Sequence, residues 1–323
     1  MNPNPMQKPQ FFNFLSACRG THTGGPQPSP RGVPSNAFTI VELLAILAVL
    51  TLAILMIAPT LAGTKTASQS VRCLSNLKQL TSAILMYPQE NQDLFPPNPD
   101  DGNTIPGYNW CPGTVSTGGS AQFDPDILAD PSKCLVAPYL ATNSSLFRCT
   151  ADPRTGIYSG STDPSKFGTR VQVARGISMS SAVGTIDPQF SASGAGHSGK
   201  PNLPVNGTWL TGVAFGNRHN SPWRTYGKTS DIVKPTPAGL FLLLEEAPLS
   251  INDGTMSMSV AIPKWVDIPS TLHNSAGTVS FADGHVEMHK WVEPVTRQVK
   301  FVAVAPTDRD WSWLAARTSV LAQ

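Results

Sequence analysis

Charge is scarce in this chain of 323 residues. Asp, Glu, Lys and Arg make up 14% of it, against roughly 25% in typical soluble domains. The charges that are present nearly cancel, at +2. No basic run occurs beyond residue 37, so nucleic acid is not an expected partner. Acidic residues are absent from positions 1–37, whose only charges are Lys8, Arg19 and Arg31. Also missing are a G-x-S-x-G elbow, an H-E-x-x-H helix, a Walker loop and a Rossmann fingerprint, so the chain is not expected to be an enzyme. No solenoid or propeller repeat is present. The 30 prolines and 26 glycines follow no period. That excludes a collagen-like chain and indicates a loop-rich one.

What is present begins after a stretch that cannot build a core. Pro, Gly, Ser and Asn dominate from Thr21 to Asn36. Phe11, Phe12, Phe14 and Leu15 form an apolar knot too short for a secretory h-region. From Leu43 to Ala62 there is no charge, and only Thr51, Pro59 and Thr60 interrupt the apolar sequence. This is about the 20 residues that cross ~30 Å of hydrocarbon. The small residue Ala37 precedes the run, so cleavage beside it leaves the apolar helix on the mature chain. Glu42 is an acid at the start of that helix, where a carboxylate is costly and usually functional.

The stretch Ala37-Phe38-Thr39-Ile40-Val41-Glu42-Leu43 resembles the prepilin-type cleavage and methylation motif of type IV prepilins and pseudopilins, with Ala where the family usually has Gly. Arg72-Cys73-Leu74-Ser75-Asn76-Leu77-Lys78-Gln79-Leu80 and Phe95-Pro96-Pro97 are similar to pilin-like families expanded in planctomycetes and verrucomicrobia, related to the type II secretion protein G group. So are Arg175-Gly176-Ile177-Ser178-Met179-Ser180, Ser250-Ile251-Asn252-Asp253-Gly254, and His273 followed by Asp283-Gly284. The resemblance implies that a prepilin peptidase/N-methyltransferase cuts between Ala37 and Phe38 and methylates the Phe38 amine. It implies that Glu42 faces the terminal amine of a neighbouring subunit, each charge offsetting the other's burial. An ordinary signal anchor with a stray acid is the alternative. Pro59 suits the bend that the family's helix often shows.

The expected fold is α+β and pilin-like: a long N-terminal helix packed on a small antiparallel sheet with long loop-rich insertions. The expected divisions are a leader at 1–37, a helix at 38–88 with 38–62 transmembrane, and an extracytoplasmic globular domain at 89–323. The expected place is a bacterial inner membrane, single-pass, with the C-terminal domain in the periplasm or outside the cell. The expected role is a structural subunit of a type II secretion pseudopilus or type IV pilus-like filament. Other pilin-like subunits and the inner membrane would be its partners. The alternative role is a membrane-anchored binding or adhesion module using the prepilin export route.

Beyond Gly63 the pattern is amphipathic. Cys73, Leu77, Leu80, Ile84 and Tyr87 recur at steps of four and three, one face of a helix that Pro88 is expected to end near Tyr87. Residues 89–235 are rich in loop formers, with Trp110, Tyr139, Trp209 and Trp223 read as seeds of core clusters or as an exposed polymer site. Gly239–Leu244 reads as a buried strand. Thr278–Ala282 and His285–His289 flank Asp283-Gly284, the signal of a hairpin with a two-residue type I′ turn. That register pairs Phe281 with Val286 and Val279 with Met288, and it puts Trp291 on the polar face without explanation.

Two residue groups are candidate metal ligands. His285, Glu287 and His289 share a strand face and offer two imidazoles and a carboxylate, or they are a solvated outer face. Glu245, Glu246 and Asp253 offer hard oxygen ligands for Ca2+, or they serve turns and strand ends. No other cofactor is expected. Cys18 falls in the leader, and Cys73, Cys111, Cys134 and Cys149 remain. Four cysteines allow three connectivities. Cys111, Cys134 and Cys149 are the disulfide candidates, with Cys134–Cys149 favoured on loop length, and Cys73 reads as buried on the helix stripe.

Overall fold

A computed structural model of the chain describes residues 39–99, 103–187, 203–297 and 300–323, with the side chains of 54–65 and Arg297 outside the description. Cys18, Ala37 and Phe38 therefore lie outside the described residues. The molecule divides into two compact units, one ending at Leu55 and one beginning at Met56.

Helix α1 runs Ile40–Glu90. It starts with a capping box. Thr39 Oγ1 accepts from the Glu42 amide at 3.2 Å, and Glu42 Oε2 accepts from the Thr39 amide and hydroxyl at 2.9 Å each. Along the first unit its apolar side chains are exposed, from Ile40 at 78% to Leu52 at 59%. In the second unit the period-3.6 stripe goes inside: Cys73, Leu77, Leu80 and Ile84 are all buried. Pro88 does not end the helix at Tyr87. It continues to Glu90, and the Pro88 carbonyl then takes the Asn91 and Asp93 amides.

The second unit is built on a five-stranded sheet. Its strands are β3 (Ile177–Ser180), β4 (Phe241–Glu245), β5 (Thr255–Met256), β7 (Ala276–Phe281) and β8 (Val286–Lys290), in the order β5-β3-β4-β7-β8. The β3–β5 pair is parallel and the other pairs are antiparallel. Two small two-stranded sheets lie apart: β1 (Thr155–Ile157) with β2 (Arg170–Gln172), and β6 (Lys264–Trp265) with β9 (Val302–Ala303). The central strand β4 is buried along its whole length, as its unbroken Phe-Leu-Leu-Leu sequence requires. Leu77, Leu80 and Ile84 of α1 share one core with Leu242, Leu244, Met179 and Val279.

Three further expectations are corrected. The pilin-like arrangement, one long helix packed on a small antiparallel sheet, is not observed. The sheet is mixed, because β5 joins β3 in parallel through a long connection, and the exposed start of α1 belongs to a separate unit. The transmembrane segment at 38–62 is overturned: among the described residues no helix is long and apolar enough to cross a membrane. The single-pass inner-membrane location and the membrane and periplasmic attributes go with it.

The third correction is the hairpin. Val279 pairs with Glu287 and Ser280 with Val286, one residue away from the expected register. The Phe281 amide bonds the His285 carbonyl, so Ala282, Asp283 and Gly284 form a three-residue loop with only Gly284 at positive φ, +91°. That is the turn-plus-bulge alternative to a type I′ turn. The register follows from what covers the sheet. Helix α2 (Arg309–Ala315), capped by Asp308 accepting from the Trp311 amide, lays Trp313 on this face. Trp313 stacks 3.7 Å from His289 and packs edge-on to Trp291 and Phe281. The face expected to be solvated is thus the one that carries the buried Trp291.

Candidate functional site

Four side chains with metal-binding chemistry converge where α1 meets the sheet. Cys73 comes from the buried stripe of α1, Cys149 from a loop, Glu245 from the last position of β4, and His273 from the segment before β7. Their donor atoms all lie within 4.8 Å of one another. Cys73 Sγ is 3.3 Å from Cys149 Sγ, Cys149 Sγ is 3.2 Å from His273 Nε2, and that nitrogen is 3.4 Å from Glu245 Oε1. The His273 and Glu245 side chains are each 1% exposed, so the cluster is closed to solvent.

A second ring of contacts orients each group. Cys73 Sγ accepts from the Thr150 amide at 3.1 Å, and Cys149 Sγ from the Ala151 amide at 3.3 Å. Glu245 Oε2 accepts from the Thr278 amide at 3.1 Å. Ser70 Oγ lies 3.1 Å from His273 Nδ1 and donates its own proton to the Thr66 carbonyl. Ser70 and Cys73 are three residues apart on α1, so one helix face supplies both a donor and its neighbour's support.

The electrostatics are strongly coupled. The bond from Cys149, with those from His273 and Thr150, outweighs burial and holds the Cys73 thiol down to about 3. The bond to Cys73, followed by burial, pushes the Cys149 thiol up. Burial alone would lower His273, but its bonds with Cys73 and Glu245 raise it to about 10. Burial raises Glu245 above the usual carboxylate range, against the opposing bond to His273. These directions favour a Cys73 thiolate beside a His273 imidazolium. Such a pair resembles an activated nucleophile, but Cys73 is 2% exposed and a substrate has no approach.

The residues singled out in the sequence do not gather into the sites expected of them. His285 stacks on Phe281 at 4.1 Å and its Nδ1 meets Asp283 at 2.6 Å, while His289 is held against Trp313. His285, Glu287 and His289 therefore form no ligand set among the described residues. Glu245 and Glu246 follow one another and point to different surroundings. Glu246 accepts from Ser178 Oγ at 2.6 Å and Ser250 Oγ at 2.8 Å, and Asp253 accepts from the Thr255 amide and the Asn252 side chain. The Cys134–Cys149 bridge is not formed. All four described cysteines are free and buried, and Cys134 donates to the Trp110 carbonyl at 3.1 Å. Burial raises the Cys111 thiol to about 12.

Sequence spacing could not have shown this cluster. Cys73 and Cys149 are 76 residues apart, and Cys149 and His273 are 124 apart, whereas sequence-readable metal motifs place ligands two to five residues apart. The capping box at Thr39–Glu42 went unread, although T-x-x-E is its signal, and it gives Glu42 a local task that needs no neighbouring subunit. Compared with protein-family models, curated proteins and solved structures, the chain gives no match, so relatives lend no support to a pilin or secretion-system assignment.

Proposed function

We propose that the protein is a structural subunit of a pilus-like filament, built by docking the first turns of α1 against those of other copies once a prepilin peptidase has cut between Ala37 and Phe38. The observation that carries this reading is the start of α1. Ile40, Val41, Leu44, Leu47, Val49 and Leu50 are 49–78% exposed, and together they point to every side of the helix. Apolar surface on that scale marks a contact site. A helix that is apolar all round finds its cover inside a bundle of helices.

Glu42 serves two ends in such a bundle. It closes the capping box, and its charge is available to the Phe38 amine of a neighbour. The Thr39 backbone amide, followed by the Thr39 hydroxyl, holds its carboxyl below the usual range, so it is ionised at neutral pH. Two substitutions separate the roles, because Gln also completes a capping box. Glu42→Gln keeps the cap and removes the charge. We expect it to abolish incorporation into a sedimentable filament fraction while the chain still begins at methylated Phe38. Glu42→Ala removes both and additionally loosens the helix start by about 1 kcal/mol. If the Gln variant enters filaments like the unmutated chain, the charge pair plays no part. If the mature chain retains residues 1–37, the processing reading fails.

A further inference from the structure

We propose that Cys73, Cys149, Glu245 and His273 hold one zinc ion in a closed structural site that fastens α1 to the sheet. The inference stands apart from the filament reading, since it concerns the inside of the second unit.

The donor set carries the choice of metal. Two thiolates, an imidazole and a carboxylate suit zinc, whereas calcium and magnesium take oxygen ligands alone. The distances agree. A tetrahedral zinc with bonds of about 2.0–2.3 Å spaces its donors about 3.3–3.8 Å apart. Three of the six donor–donor edges are 3.2, 3.3 and 3.4 Å, and all six lie within 4.8 Å, so a zinc ion is reached by widening the short edges and drawing in any long ones. The four protein ligands leave no open position, the mark of a structural site.

The surrounding bonds point the same way. Zinc-bound histidines usually give their other ring nitrogen to a neighbour that fixes the ring. The Ser70 hydroxyl spends its proton on the Thr66 carbonyl, so it accepts from Nδ1–H, and Nε2, once it gives up its proton, faces the cluster with a lone pair. Both sulfurs accept backbone amides, and Glu245 Oε2 is fixed by Thr278 while Oε1 points inward. Two sulfurs, a carboxylate oxygen and Nε2 therefore converge in a solvent-free volume, which a dication at the centre satisfies. On binding, the protons of the Cys149 thiol and of His273 Nε2 leave to solvent, and no electron is transferred.

The full chain, saturated with zinc and dialysed without chelator, tests this. We expect about one zinc per chain. X-ray absorption at the zinc edge should show two sulfurs at about 2.3 Å and two nitrogen or oxygen atoms at about 2.0–2.1 Å. Ser70→Ala keeps every ligand and should weaken zinc affinity about 10- to 100-fold. The pair Cys73→Ser/Cys149→Ser should lose the metal, and Cys111→Ser/Cys134→Ser should keep it. Where a variant fails to fold, the absorption spectrum of the unmutated chain decides. A chain that stays zinc-free, whether its Cys73 and Cys149 thiols are free or joined in a disulfide, overturns the proposal. So does zinc bound through nitrogen and oxygen alone.

Discussion

Arg175 is fully buried, and its guanidinium donates to backbone carbonyls only: Asp253, Ile177 at 3.4 Å and Gly113 at 3.3 Å. It joins the loops at Gly113 and Asp253 to the start of β3. The segments Arg175–Ser180 and Ser250–Gly254 were singled out in the sequence separately, and this side chain is where they meet. Replacing it with Leu keeps apolar bulk but strips buried acceptors of their donor. The expected loss is about 3 kcal/mol, read as a lower urea midpoint with an unchanged slope. A loss below about 0.5 kcal/mol would mean that water replaces the guanidinium. Glu42 is the opposite case at the same scale. It is exposed, and its hydrogen bonds go to Thr39, three residues away.

Between elements, the β7–β8 hairpin shows where local reading stops. Its existence was legible, because alternation on both sides of Asp283-Gly284 is a local signal. Its register was not. Two- and three-residue loops differ by one residue, and a slip of one residue exchanges the faces. The outcome was set by Trp313 and Trp291, which cover the side carrying His289 and come from beyond the hairpin. Gly284 at φ +91° then becomes the hinge of the loop, with its carbonyl bonded by Lys78 Nζ of α1 at 2.5 Å. Gly284→Ala should destabilise the protein by about 1 kcal/mol through that backbone conformation. Gly277→Ala should cost more, because a Cβ there would sit 2.5 Å from the Ser270 carbonyl oxygen with no side chain to move aside. Denaturant midpoints of the two variants, measured together, check the order. The reverse order would contradict the observed register.

Across the whole second unit, the chain has buried acids that it could have left outside. Desolvation raises Asp267 to about 7, although it accepts the Ser257 amide at 2.8 Å, and raises Glu246 well above the usual range. An acid whose native pKa is raised stabilises the fold fully below its unfolded value, about 3.9. That contribution fades as pH climbs through 7, because the native state still holds a proton the unfolded chain has released. The contribution of Asp267 should therefore fall by a few kcal/mol, in order of magnitude, between about pH 4 and 7. Asp267→Asn keeps an acceptor for Ser257 and should flatten part of that slope. The difference between the two curves reports Asp267 together with Glu246, whose carboxyl the Asp267 charge helps to raise. Parallel curves would show that Asp267 is ionised in the native state.

By itself the sequence determined what is local. The stripe Cys73–Leu77–Leu80–Ile84 had to turn inward, and the apolar run to Leu244 had to become a buried strand. Each follows from neighbours within a few positions. Only the tertiary structure decided that β5 lies parallel to β3, that the hairpin slips by one, and that a helix cysteine, a loop cysteine, a strand glutamate and a histidine share one closed pocket. Those outcomes depend on which distant surfaces exclude water together, and spacing along the chain carries no record of that.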